Sequence, residues 1–126
     1  MKIAHGIDLT EISRIEEMLE KHGEHFLARC YTDSERKYAG SGRKTAERLA
    51  ARFAAKEAVF KLVGTGLRGK MSWRDVEVVN DGLGKPAVSL SGETARIAVE
   101  LGITEITISL THTKQHAMAS AVAIIN

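Results

Sequence analysis

Arg52-Phe-Ala-Ala-Lys-Glu57-Ala-Val-Phe-Lys61-Leu-Val-Gly64-Thr-Gly66 sets charges inside a helix that has almost no polar face. At about 100° per residue, Leu49, Phe53 and Phe60 cover one side, while Ala50, Ala54, Ala58 and Leu62 cover the other. Glu57 is therefore hard to place in bulk water. A carboxylate drawn into packed surroundings needs a cation, a metal or a proton, because unpaired burial is costly. Lys61 follows four residues later, the favourable orientation for an ion pair, so a structural bridge and a functional acid are both open.

Working outward, the helix is predicted from about Thr45 to Val63, stopping at Gly64-Thr-Gly66, where glycine can take the left-handed conformation. Upstream, residues 2–8 read as a short strand, with Ile3 and Ile7 alternating with small or polar neighbours. Thr10-x-x-Ser13 leads into an amphipathic helix carrying Ile12, Ile15, Met18 and Leu19, which Gly23 ends. His25 to Cys30 make a further short helix, and Thr32-x-x-Glu35 has the form of a capping box. Downstream the period changes to two. Val76 and Val78, a turn over residues 80–86, then Val88 and Leu90 make a hairpin. Ser91 caps a helix through Leu101, closed by Gly102. Two strands follow, one with Ile106, Ile108 and Leu110 and one over Ala117 to Ile125. On the last strand Ala117, Ala119, Ala121 and Ala123 form a smooth face, and the alanines of residues 50–58 are its natural partner. These elements predict an α+β fold, an antiparallel sheet packed against a long central helix.

At 126 residues with 44% apolar content, the chain is read as a single domain, residues 1–126, with enough material for one core. A single cysteine, Cys30, excludes an internal disulfide framework and a multi-cysteine metal site, and it fits a reducing compartment. An acid at position 8 and the lack of a long apolar run argue against a signal peptide or membrane insertion, so a cytoplasmic protein is expected. Residues 41–72 hold eight Lys or Arg against Glu47 and Glu57, a local excess of +6 in a chain of net charge +2. Such a cluster suits a polyanion, either a phosphorylated small molecule or a nucleic acid, or is a solvated helix face.

Asp8 is placed at the end of the first strand, in Gly6-Ile-Asp8-Leu-Thr-Glu11-Ile-Ser-Arg14-Ile15. Alone it reads as a turn residue. Beside Glu57 it becomes half of a carboxylate pair on rigid elements, next to lysines and a Gly-x-Gly turn. That set suits Mg²⁺ when most of its remaining ligands are waters and substrate phosphate.

Four stretches together resemble a known family: GIDLTEISRI, RFAAKEAVFKLVGTGL, WRDVEVVNDGLGKP and ISLTHTKQHAMASAVAI. In this order and spacing they are similar to the holo-acyl-carrier-protein synthases, small phosphopantetheinyl transferases, across essentially the whole chain. The resemblance implies transfer of 4′-phosphopantetheine from coenzyme A to a serine of apo acyl carrier protein, in fatty acid biosynthesis, releasing adenosine 3′,5′-bisphosphate. It implies Asp8 and Glu57 as Mg²⁺ ligands and Lys61 as the counter-charge to the coenzyme A pyrophosphate. It further implies that Gly64 and Gly66 let backbone N–H groups approach a phosphate, that His112 contacts the nucleotide, and that Arg14 meets the acidic carrier protein. A homotrimer with active sites at subunit interfaces is expected.

Two other classes compete. One is a regulatory α+β trimer that binds a nucleotide or metabolite without turnover. The other is an RNA-binding domain that uses residues 41–72 to follow a phosphate backbone. Only six aromatic residues, with no stacking pattern, argue against RNA. Carboxylates beside a phosphate ligand repel it unless a metal intervenes, which argues against a silent binder.

Overall fold

The chain folds around α3, Thr45–Val63, in the computed structural model, which describes residues 1–64 and 66–126; the middle residue of the Gly64-Thr-Gly66 turn lies outside them. Twelve side chains of α3 are buried. A helix that is apolar on all sides must be enclosed by other elements, and strands cover most of it. β1 (Lys2–Glu11), β4 (Ile103–His112) and β5 (His116–Ile125) form an antiparallel sheet in the order β1-β5-β4. Its inner face presents Ala117, Ala119, Ala121 and Ala123, all essentially inaccessible, and they share a core with Ala50, Ala54, Ala55 and Ala58 of α3. The alanine face and its helical partner are thus as expected. Small side chains on both layers let the helix sit close to the sheet, and β1 comes closest. A Cβ built on Gly6 would lie 1.9 Å from the carbonyl oxygen of Ala58.

The hairpin forms as β2 (Val76–Asn80) and β3 (Pro86–Leu90), with Val78 opposite Val88. It is a separate two-stranded sheet, so the strands divide into two antiparallel sheets rather than one. Local alternation marks a strand and its buried face, and it carries no information on which edges pair. β1 also runs three residues further than predicted, because β5 pairs with it as far as Glu11 opposite His116.

The span α1, Ile12–Cys30, is two helices joined at Gly23, whose φ 42° and ψ −116° are non-helical and open to glycine, so the first helix stops there and a second runs on to Cys30, as expected. α2 (Asp33–Ala39) starts with the predicted capping box, Thr32 with Glu35. Glu35 also has a second role, as a fully buried ion pair with Lys56 of α3 at 2.6 Å. Its Oε2 accepts the Val78 N–H at 2.8 Å, and Lys56 Nζ donates to the carbonyls of Trp73 (3.1 Å) and Val76 (2.6 Å). Both charges are therefore fully hydrogen-bonded, the condition under which a buried pair is tolerated. A short helix, α4 (Gly92–Glu100), precedes β4. No described helix is long and apolar enough to cross a membrane.

Candidate active site

On β1 the even-numbered residues turn toward α3, which puts Gly6, Asp8 and Thr10 on the same side of the strand. Because Gly6 lets β1 touch α3, Asp8 is carried to the helix surface beside Glu57 and Lys61. Asp8 lies inside β1, opposite Ala119, and not at a strand end. Its side chain is only 13% accessible. Lys61 Nζ donates to Asp8 Oδ1 at 3.1 Å and to the carbonyl of Ile7 at 3.1 Å. Thr10 Oγ1 donates to Asp8 Oδ2 at 2.9 Å.

The Glu57–Lys61 bridge that the i, i+4 spacing allowed is not formed. Lys61 reaches across to β1, and Glu57 is left without an ion pair among the described residues. Burial, and next the neighbouring Asp8 carboxylate, raise the Glu57 carboxyl above its ordinary value, against the opposing pull of Lys61 and Arg14. The site is thus a half-enclosed carboxylate pair under mutual repulsion, with one lysine beside it. A divalent cation would relieve that repulsion, and hard oxygen donors suit Mg²⁺. Among the described residues no group of three or more possible ligands exists, so water and substrate phosphate would have to supply the rest of the shell, as they commonly do for this ion.

Arg14 is close enough to act on Glu57, and its guanidinium lies 5.8 Å from the centre of the Phe53 ring. It borders a cavity of about 420 Å³ whose walls include Ile15, Met18, Phe53 and Trp73, with Arg29 also on the rim. The structure therefore joins an apolar floor and basic edges to the carboxylate pair.

The two glycines after α3 differ. Gly64 is extended (φ 170°), and its N–H closes the helix onto the Lys61 carbonyl at 3.3 Å. Gly66 has φ 102°, the region that favours glycine, and open space surrounds its Cβ position.

His112 lies elsewhere on the molecule. Its Nε2 is 2.7 Å from Glu47 Oε1, near the start of α3 and, at 1.5 Å per residue, about 15 Å along the helix from Glu57. Lys44, Arg48, Arg52 and Tyr38 line the same groove. Of the residues singled out in the sequence, Asp8, Glu57 and Lys61 are brought together with Arg14 at their margin, and His112 belongs to a second, basic groove. Gly6 and Thr10 were missed as contributors to the site. The signal for both was the two-residue period of a strand, which places them on either side of Asp8 on its own face. Lys44, Arg48 and Arg52 were visible only as part of the basic excess.

The sequence profile of the 4′-phosphopantetheinyl transferase superfamily matches residues 4–121. A holo-[acyl-carrier-protein] synthase of Koribacter versatilis is 42% identical over 122 residues, 97% of this chain and 98% of that protein. The crystal structure of holo-[acyl-carrier-protein] synthase from Neisseria meningitidis superposes with a TM-score of 0.87 at 34% identity, covering 96% of this chain and 97% of the other. That of a holo-(acyl-carrier-protein) synthase from Bacillus anthracis in complex with CoA (3′,5′-ADP) has a TM-score of 0.79 at 38% identity, covering 98% and 96%. In sequence and in fold, over nearly its whole length, the chain belongs to the 4′-phosphopantetheinyl transferase superfamily.

Proposed function

We propose that the chain transfers 4′-phosphopantetheine from coenzyme A to a serine hydroxyl of apo acyl carrier protein, as a Mg²⁺-dependent cytoplasmic enzyme of fatty acid biosynthesis. The observation that carries this reading is the Glu57 carboxylate, without an ion pair among the described residues and raised by burial and by the nearby Asp8, with Lys61 bridging β1 and α3 beside them. The likeness to relatives named holo-[acyl-carrier-protein] synthase, one of them solved with coenzyme A, supplies the substrates.

In the reaction the serine oxygen bonds to the phosphorus that carries pantetheine, the pyrophosphate P–O bond breaks, and adenosine 3′,5′-bisphosphate leaves. Mg²⁺, held by Asp8 and Glu57, would supply electrostatic stabilisation of charge on the phosphoryl and leaving-group oxygens. Lys61, half exposed on α3, exchanges Asp8 for the pyrophosphate and neutralises it. Glu57, on α3 beside Asp8, would be the group that takes the serine proton. Positioning and charge do the catalysis, as in other phosphoryl transfers. Gly66 leaves room for a phosphate to approach the backbone, and Arg14 with the groove beside it faces the acidic carrier protein.

His112 with Lys44, Arg48 and Arg52 binds the nucleotide end of coenzyme A. Because that groove is remote from Asp8 within one chain, it serves the Asp8 site of a neighbouring chain in a homotrimer. The outer face of the β1-β5-β4 sheet supports the assembly. Ile3, Ile7 and Leu9 are at least half exposed there, with Met118 and Val122 beside them on β5, an apolar patch of the kind that marks an interface.

The test is mass spectrometry of an apo acyl carrier protein incubated with the chain, coenzyme A and Mg²⁺. One added phosphopantetheine group, abolished by a chelator, is expected. An unmodified carrier protein under conditions where the chain is folded and binds coenzyme A would overturn the reading.

A further inference from the structure

We propose that Thr10 is a positioning residue whose hydroxyl fixes the rotation of the Asp8 carboxylate and thereby sets the Mg²⁺ affinity of the site. The inference rests on the reading of Asp8 and Glu57 as a shared metal site. Thr10 follows Asp8 by two residues on β1, so both side chains leave the same face of the strand. Thr10 is 2% exposed, and its hydroxyl donates to Asp8 Oδ2 at 2.9 Å, its one side-chain hydrogen bond among the described residues. A valine would fill the same space without burying a polar group. The buried hydroxyl is compensated by its bond to Asp8.

The terminal torsion of an aspartate is broad, so an unrestrained carboxylate would sample many orientations. Here each oxygen is held separately, Oδ2 by Thr10 and Oδ1 by Lys61. The two restraints differ in permanence. Lys61 is half exposed and, in the proposed function, turns to the pyrophosphate of coenzyme A, whereas Thr10 is buried. Once Lys61 has turned, Thr10 is the side chain that keeps Oδ1 aimed at α3. Mg²⁺ demands nearly ideal octahedral geometry, and hydrogen bonds that orient a metal's ligands typically change affinity or activity 10- to 100-fold.

Thr10→Val and Thr10→Ser separate this role from packing. Mg²⁺ affinity is measured by calorimetry without coenzyme A, beside metal-free melting and the Mg²⁺ concentration for half-maximal turnover. Thr10→Val is expected to weaken Mg²⁺ binding about 10- to 100-fold and to raise the half-maximal Mg²⁺ concentration in parallel, with little loss in metal-free melting temperature. Thr10→Ser keeps the donor and is expected to recover most of the affinity. Should Thr10→Val not fold, Thr10→Cys, of similar size and with only a weak donor, takes its place. Wild-type affinity in Thr10→Val, or equal weakening in Thr10→Ser, would overturn the proposal while leaving the metal site standing. Absence of Mg²⁺ binding in the wild type, or unchanged binding in Asp8→Asn, would overturn both.

Discussion

Gly6 on β1 and Ala58 on α3 meet backbone to backbone, with the Ala58 carbonyl oxygen 1.9 Å from where a Gly6 Cβ would stand. Asp8 is two residues from this contact along the strand, and Glu57 and Lys61 flank Ala58 on the helix. The spacing of the site is therefore set where two chain segments touch without side chains between them. Gly6 is needed for space and not for a left-handed backbone, since it is absent from the positive-φ glycines. Gly6→Ala must push β1 away from α3. It is expected to cost about 1–3 kcal/mol or more by urea unfolding, the range of overpacked sites, and to lower turnover in the molecules that still fold.

Glu57 gives a prediction whose sign depends on its surroundings. Its folded-state value lies above the ordinary 4.5 because of burial and Asp8, so folding favours the protonated form. That contribution is fully present below the unfolded value and is lost as pH rises through the raised folded value. Above it, Glu57→Gln should melt without metal at the wild-type temperature or higher, since Lys61 pairs with Asp8 and loses no partner. Glu57→Gln and Asp8→Asn should both lose Mg²⁺ affinity by calorimetry and lose turnover. Normal Mg²⁺ affinity in either folded variant would exclude a shared metal.

Lys56→Met tests the buried pair with Glu35. The substitution leaves the Glu35 carboxylate in the core with backbone N–H donors and without its ion-pair partner. A loss of about 3–5 kcal/mol is expected from chemical denaturation, the usual result of removing one partner of a buried pair. The variant Mg²⁺ affinity, measured where the protein is folded, should be unchanged.

Arg14 stands between the carboxylate pair and the apolar groove, and it is predicted to serve carrier-protein binding more than coenzyme A binding. Charge pairing at an interface rim acts mainly on association and is sensitive to salt. Arg14→Glu should raise the apparent KM for carrier protein, more steeply at low salt, while the KM for coenzyme A stays nearly constant. Equal effects on both substrates in steady-state kinetics would count against the assignment.

Val122, on the outer face of the three-stranded sheet opposite His5, probes the assembly. Val122→Arg alters an exposed position and should leave the monomer fold intact by circular dichroism. Light scattering is expected to report a monomer in place of a trimer, with turnover reduced at least tenfold because each site would lack its neighbour's basic groove. A fully active monomer would remove the trimer from the mechanism.

Much of this molecule was legible in its order of residues. The alanine-rich helix was placed at its observed bounds, the Thr32–Glu35 capping box formed, and the hairpin followed its alternation, because each depends on neighbours a few residues apart. Asp8 and Glu57 were recognisable as acids in surroundings that disfavour charge, and the alanine stripe on β5 announced a helix packed close against it. Tertiary structure alone decided the partners. Lys61 had an acid four residues away on its own helix and bonded instead to Asp8, 53 residues distant, once Gly6 had brought β1 onto α3. Glu35 acted as a local cap and also paired with Lys56, and His112 was placed in a different groove from Asp8 and Glu57. Periodicity states which face of an element is buried. Which charge lies opposite another across that buried face depends on register and close approach, which arise only when distant segments pack.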